Sequence, residues 1–247
     1  MIRSTQVSGR SRLRERALIG SAGAVMSGIG DVLILGRRSS GRDFDHAVGM
    51  IPEHVEVDGR WRSLWNGATF TPGRIHLGTV TGVVGIGCLQ WLGMLGMART
   101  IPPGALQRTA IVSATAFAVS GAITHWSCGR VILAYHEASA RQVEPARGHR
   151  PSSRAATTLL TASAGGALGA LAVFSGCLTA AAMRRRGAGP VRWAQVTPFP
   201  CVMSTLLTFG LLPYPVGGYV RPASMSIGLL MFFAVAAASA AAGSPER

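Results

Sequence analysis

The stretch Ile75–Ala98, IHLGTVTGVVGIGCLQWLGMLGMA, decides the fold. It contains no Asp, Glu, Lys or Arg. It is also longer than the ~20 residues a helix needs to cross the hydrocarbon core of a bilayer. Comparable runs recur along the chain and place six spans, at about 17–36, 75–98, 109–130, 157–183, 199–219 and 222–243. The predicted fold is all-α, a polytopic transmembrane helix bundle. It forms one unit over 17–243, flanked by an Arg-rich tail (1–16) and a short tail (244–247).

Composition agrees with that class. Of 247 residues, 48% are hydrophobic and 32 are glycine, which fits neither a disordered chain nor an ordinary soluble domain. There is no lysine; 24 arginines face 10 acids, for a formal charge of +14. The arginines flank the spans, where anionic lipid headgroups are the natural partner, so a nucleic-acid role is not expected. Cys88, Cys128, Cys177 and Cys201 form no C-x-x-C pair and read as small apolar residues in packed helices. The basic N-terminus precedes an apolar run too long for a signal peptide and without a small-residue cleavage site. It reads as a retained first span.

Small residues recur every four positions at Gly20, Ala24 and Gly28, at Gly78 and Gly82, and at Gly165 and Gly169. Such faces let helix backbones approach closely where lipid supplies no hydrophobic push. No internal repeat is visible, which weakens an inverted-repeat transporter reading. The arginine bias across the connections places both termini in the cytoplasm, with the protein in the cell membrane. Segment 37–74 is then extracytoplasmic. With Trp61 and Trp65 spaced as neighbours on a helix face, it is a candidate lid.

The stretch Ser27–Gly36, SGIGDVLILG, places one carboxylate, Asp31, in an apolar span. By this topology Asp31 lies in the outer third of its span, level with His125, Arg130, His76 and Tyr214. It shares a face with Ala24, Ser27 and Gly28, so it points into protein rather than lipid. An intramembrane acid is a candidate functional residue by default, although structural pairing also explains one. The candidate catalytic set is Asp31, His125, Arg130 and Tyr214. The candidate substrate-binding set is His76, Trp61, Trp65 and Trp126. Gln90 is a second buried polar group, expected to hydrogen-bond a neighbouring helix.

His136 opens HEASA, but Ala140 stands where a zinc-protease motif needs its second histidine. DFDH (43–46) and PEH (52–54) hold residue types that bind metals, yet the charges of an exposed loop explain them as well. No metal and no cofactor are assigned, and no phosphate-binding or nucleophile-elbow motif is present.

Gly30-Asp31 late in span one, a lone His125 late in span three and the LPYPVGG turn (Leu212–Gly218) carry a resemblance. The chain resembles an uncharacterised bacterial family of six-span integral membrane proteins. The resemblance implies the architecture and no activity.

The leading functional expectation is an outward-facing polar pocket for a lipophilic small molecule. Any chemistry there is of acid–base type, such as isomerisation, cyclisation or hydrolysis. Asp31 is then the acid or base, His125 its partner, and Arg130 and Tyr214 orient or stabilise charge. The alternatives are a small transporter or accessory permease subunit, and a non-catalytic membrane partner protein. Oligomeric state is not legible.

Overall fold

The computed structural model describes the backbone of residues 2–36, 71–141, 151–184, 196–213 and 216–242. Side chains are described for most of these. All regular structure among the described residues is helical. Helix α1 spans Ile2–Leu35. Helix α2 (Pro72–Val84) passes through a π-helical turn, Gly85–Gln90, into α3 (Trp91–Ala98). Helices α4 (Ala105–Arg141) and α5 (Pro151–Arg184) follow, then α6 (Pro198–Gly210), α7 (Val216–Val220) and α8 (Ser224–Ala242).

Five stretches are long and apolar enough to cross a membrane: Ser11–Leu35, Pro72–Ala98, Ala105–Leu133, Thr158–Arg184 and Ser224–Ala241. The chain is an all-α transmembrane helix bundle. The expectation of a sixth full span at 199–219 needs correction. Its helix stops at Gly210 after 13 residues, about 20 Å, short of the ~30 Å hydrocarbon core. Gly210 and Pro213 interrupt it before the five-residue helix α7. Helix α1 begins at Ile2, so the arginine-rich stretch is helical and continuous with the span.

The helices alternate in direction. A β-carbon at Gly20 would meet Phe233, at Gly28 Ser226, and at Gly36 Tyr219, so α8 runs antiparallel to α1. Thr205 on α6 donates to the Ser224 carbonyl at 2.7 Å, and Gly228 lies against Val202, so α6 runs antiparallel to α8. Thr124 on α4 meets Ser163 on α5 at 3.0 Å, while Ser120 faces Gly166. The start of α1's span and the end of α8 therefore lie at one end of the bundle.

The small-residue faces sort into two outcomes. Gly20 and Gly28 of α1 face α8, and Gly78 and Gly82 of α2 face α1 and His125 of α4. Gly23 and Gly30, outside the expected rows, lie directly on the backbone of α2 and the π turn. A β-carbon at Gly23 would sit 2.7 Å from the Gly85 oxygen, and one at Gly30 2.7 Å from the Gly78 oxygen. The expected contact face at Gly165 and Gly169 needs correction, since nothing lies within 4 Å of either β-position. Helix α5 packs instead through Ser163, Ala167, Leu171 and Phe174, which are buried. That row lies about 200° around the helix from the glycines, two positions away at 100° per residue.

Two apolar clusters bracket the remaining interior. The larger fills the half near the α3–α4 turn, with Met94, Phe117, Leu171, Phe174, Phe232 and Phe233 at its centre. The smaller closes the other end, with Ile34, Ile75, Val131, Ile132, Leu133 and Leu160. A layer of polar side chains lies between them.

Candidate functional site

Asp31 sits where α1, α4 and α8 meet. Its Oδ1 is 2.9 Å from His125 Nε2, and Ser226 Oγ donates to Oδ2 at 2.8 Å. Ser226 Oγ lies 3.0 Å from Ser27 Oγ. Gln90 Nε2 donates to Ser27 Oγ at 2.7 Å and to the Gly23 carbonyl at 3.3 Å. One polar chain thus runs His125–Asp31–Ser226–Ser27–Gln90, joining α4, α1, α8 and the π turn. Ser27 and Gln90 are fully buried, His125 nearly so, and the Asp31 side chain keeps 16% of its surface.

The energetics explain how an acid persists here. A carboxylate near a span's centre costs about 2.5–3.5 kcal/mol to insert. Hydrogen bonds to a charged group return about 1.5–3 kcal/mol each, so two donors are enough to offset the cost. Among the described residues the partners of Asp31 are a histidine and a serine.

Local sequence builds each part. The π turn accommodates an extra residue, which rotates the following side chains and brings Gln90 to the α1 face. Gly85 permits this, since a β-carbon there would lie 2.8 Å from both the Gly23 oxygen and the Ser27 nitrogen. Gly82 makes room for the imidazole, because a β-carbon there would fall on the His125 ring. The ring's Nδ1 has no hydrogen-bond partner among the described residues. Nε2 faces a carboxylate, which assigns the proton to Nε2.

The sequence-predicted residues divide. Asp31 and His125 are in contact. Arg130, His76 and Trp126 are exposed, and neither Arg130 nor His76 bonds Asp31. His125 and Arg130 differ by five positions, about 140° around the helix, so equal depth does not place them on one face. Tyr214, Trp61, Trp65, segment 37–70, and the DFDH and PEH clusters lie outside the described residues. The His136 side chain does too, although α4 continues to Arg141. Gln90 bonds the neighbouring helix, and all four cysteines are free.

Sequence reasoning missed Ser226 and Arg74. The available signal for Ser226 was a pair of hydroxyls, Ser224 and Ser226, at the start of the most apolar span. Arg74 Nη2 donates to the Val32 carbonyl at 2.9 Å and the Gly36 carbonyl at 3.1 Å, satisfying the open end of α1. A cavity of about 500 Å³ lies at the α3–α4 turn, lined by Ile101, Pro103, Leu106, Ala181 and Arg184 among others. It belongs to the opposite end of the bundle from Asp31.

The comparisons with known proteins address the whole chain rather than the site. No curated protein and no solved structure matches it. A sequence profile matches residues 3–242, a range that holds all but the first residue of the described helices and every member of the polar chain, and by that match the protein belongs to the family of unknown function DUF6796.

Proposed function

We propose that the protein is an intramembrane acid–base site, with Asp31 as the proton-exchanging group acting on a lipophilic small molecule. The observation that carries this is the Asp31–His125 contact at 2.9 Å, on a carboxyl that is mostly buried yet keeps some open surface. His125 is a positioning residue here. Its second nitrogen lies against Gly82, not towards an open space where a substrate would sit. Reactions that need one proton added and one removed, such as isomerisation, suit a single carboxyl held between two donors. The half beneath the site is packed with Phe117, Phe174 and Phe232, and its buried polar groups among the described residues are hydroxyls without an ionisable side chain, which argues against a polar conduction path. The arginine distribution supports both termini in the cytoplasm of a cell-membrane protein, with Asp31 towards the outer side.

One observation favours a second reading, a non-catalytic membrane partner. Both oxygens of Asp31 already have donors, so the pair also serves to hold α1, α4 and α8 together. Mass spectrometry of small molecules that copurify in mild detergent separates the two. On the acid–base reading, wild type carries one lipophile enriched over bulk lipid, and Asp31→Asn, recovered in similar folded yield, carries a form of different structure or mass. Bulk lipid alone with both proteins defeats that reading and leaves the structural one.

A further inference from the structure

The hydroxyl of Ser27 stands at a fork. It has one hydrogen and two acceptors within reach, the Ala24 carbonyl at 3.1 Å and Ser226 Oγ at 3.0 Å. A hydroxyl donates once and accepts up to twice. That rule leaves two complete arrangements of the chain. With Asp31 charged, Gln90 donates to Ser27, Ser27 to Ser226, and Ser226 to Asp31 Oδ2. With Asp31 neutral, Oδ2–H donates to Ser226, Ser226 to Ser27, and Ser27 to the Ala24 carbonyl. Gln90 Nε2 donates to Ser27, and His125 Nε2 to Oδ1, in both.

We propose that Ser27 and Ser226 are positioning residues that let Asp31 gain and lose a proton in place, by reversing the direction of this hydrogen-bond chain. The inference rests on Asp31 as the proton-exchanging group of the proposed site. The balance is simple. One proton enters at Oδ2 and the charge there goes from −1 to 0. Two hydroxyl hydrogens swing to their other acceptors, and no other proton changes owner. No heavy atom has to move, because every distance already fits both arrangements.

The Ala24 carbonyl is the terminus that makes the second arrangement complete. Without it, a neutral Asp31 would leave a buried hydroxyl hydrogen unpaired. Ionisable side chains approach Asp31 from α4 and α2. From α4 come His125 and Cys128, and from α2 comes Arg74, which is engaged by the Val32 and Gly36 carbonyls. Tyr219 lies against Gly36 at the end of α1, Arg221 donates to the Leu212 carbonyl, and α8 brings hydroxyls with no ionisable side chain.

Infrared spectroscopy of the full chain in lipid nanodiscs tests this. The readout is the carbonyl band of a neutral carboxyl, assigned to Asp31 by its loss in Asp31→Asn. Wild type is expected to show the band growing as pH is lowered. At matched pH, Ser27→Ala is expected to reduce the neutral-to-charged ratio about tenfold, from the cost of an unpaired buried hydroxyl. Ser27→Cys keeps a weak donor and acceptor and is expected to fall between, which maintains the test if the alanine variant does not fold. An unchanged band in both variants overturns the proposal, as does the absence of any Asp31-dependent band wherever the protein stays folded. A band that responds to Ser27 in a protein carrying only bulk lipid keeps the reversible chain and removes the substrate reading.

Discussion

At Gly82 the site depends on an atom that is absent. Gly82→Ala puts a methyl group onto the His125 ring, so either the imidazole leaves Asp31 or α2 shifts. The expected cost is about 1–3 kcal/mol, read as a lower thermal midpoint of the purified protein. The penalty should shrink when His125 is already alanine; equal penalties in both backgrounds would show that the ring is not what the methyl group strikes. The Asp31–His125 contact has its own measure. A cycle of Asp31→Leu, His125→Leu and the double variant should give a coupling of about 0.5–3 kcal/mol, with the double variant milder than the sum of the singles. Additive penalties would mean that the two side chains contribute independently. Sequence alone brought Asp31 and His125 to one depth, because depth follows from counting residues along a span. It could not tell His125 from Arg130, because rotation about the helix axis depends on which neighbour each face meets.

At the scale of the element, the π turn accommodates one extra residue. Deleting Gly87, whose β-position meets only Ala122 at 3.4 Å, should remove that extra residue and leave Gln90 facing Ser27 from a regular α-helix. Gln90→Leu should then cost the same in the deleted and the full-length chain, about 1–3 kcal/mol for the broken buried hydrogen bonds, read as a lower thermal midpoint. A negligible Gln90→Leu penalty in the deleted chain would show that Gln90 no longer reaches Ser27. The extra residue has no sequence signature, since Gly85–Gln90 reads as ordinary apolar helix. Its presence is set by α1, which offers the backbone of Gly23 and the Ser27 hydroxyl at that level. The inward glycines of α2 were legible for the opposite reason. Gly78 and Gly82 pack on residues that any close crossing would supply, whereas Gly165 and Gly169 share the spacing and face outwards.

For the whole molecule, alternation of direction survives even though α6 is short. Single cysteines placed at residues 12 and 241 in a cysteine-free chain should react with an impermeant reagent from the same side of sealed vesicles, and one at Gly73 from the other. Opposite labelling of 12 and 241 would break the alternation. The short α6 was read as a full span because residues 199–219 carry no charged side chain, and hydropathy does not register that Gly210 and Pro213 end a helix. The Arg74 guanidinium has a consequence for the chain between α1 and α2. It donates to the Gly36 carbonyl at 3.1 Å, so the end of α1 and the first turn of α2 are tied to each other inside the bundle. That tie does not pass through residues 37–70. Replacing those residues with a short Gly/Ser linker should leave the thermal midpoint nearly unchanged, because loop-closure entropy varies only slowly with loop length. Any loss of lipophile retention in that variant would then be attributable to the replaced residues and not to the bundle.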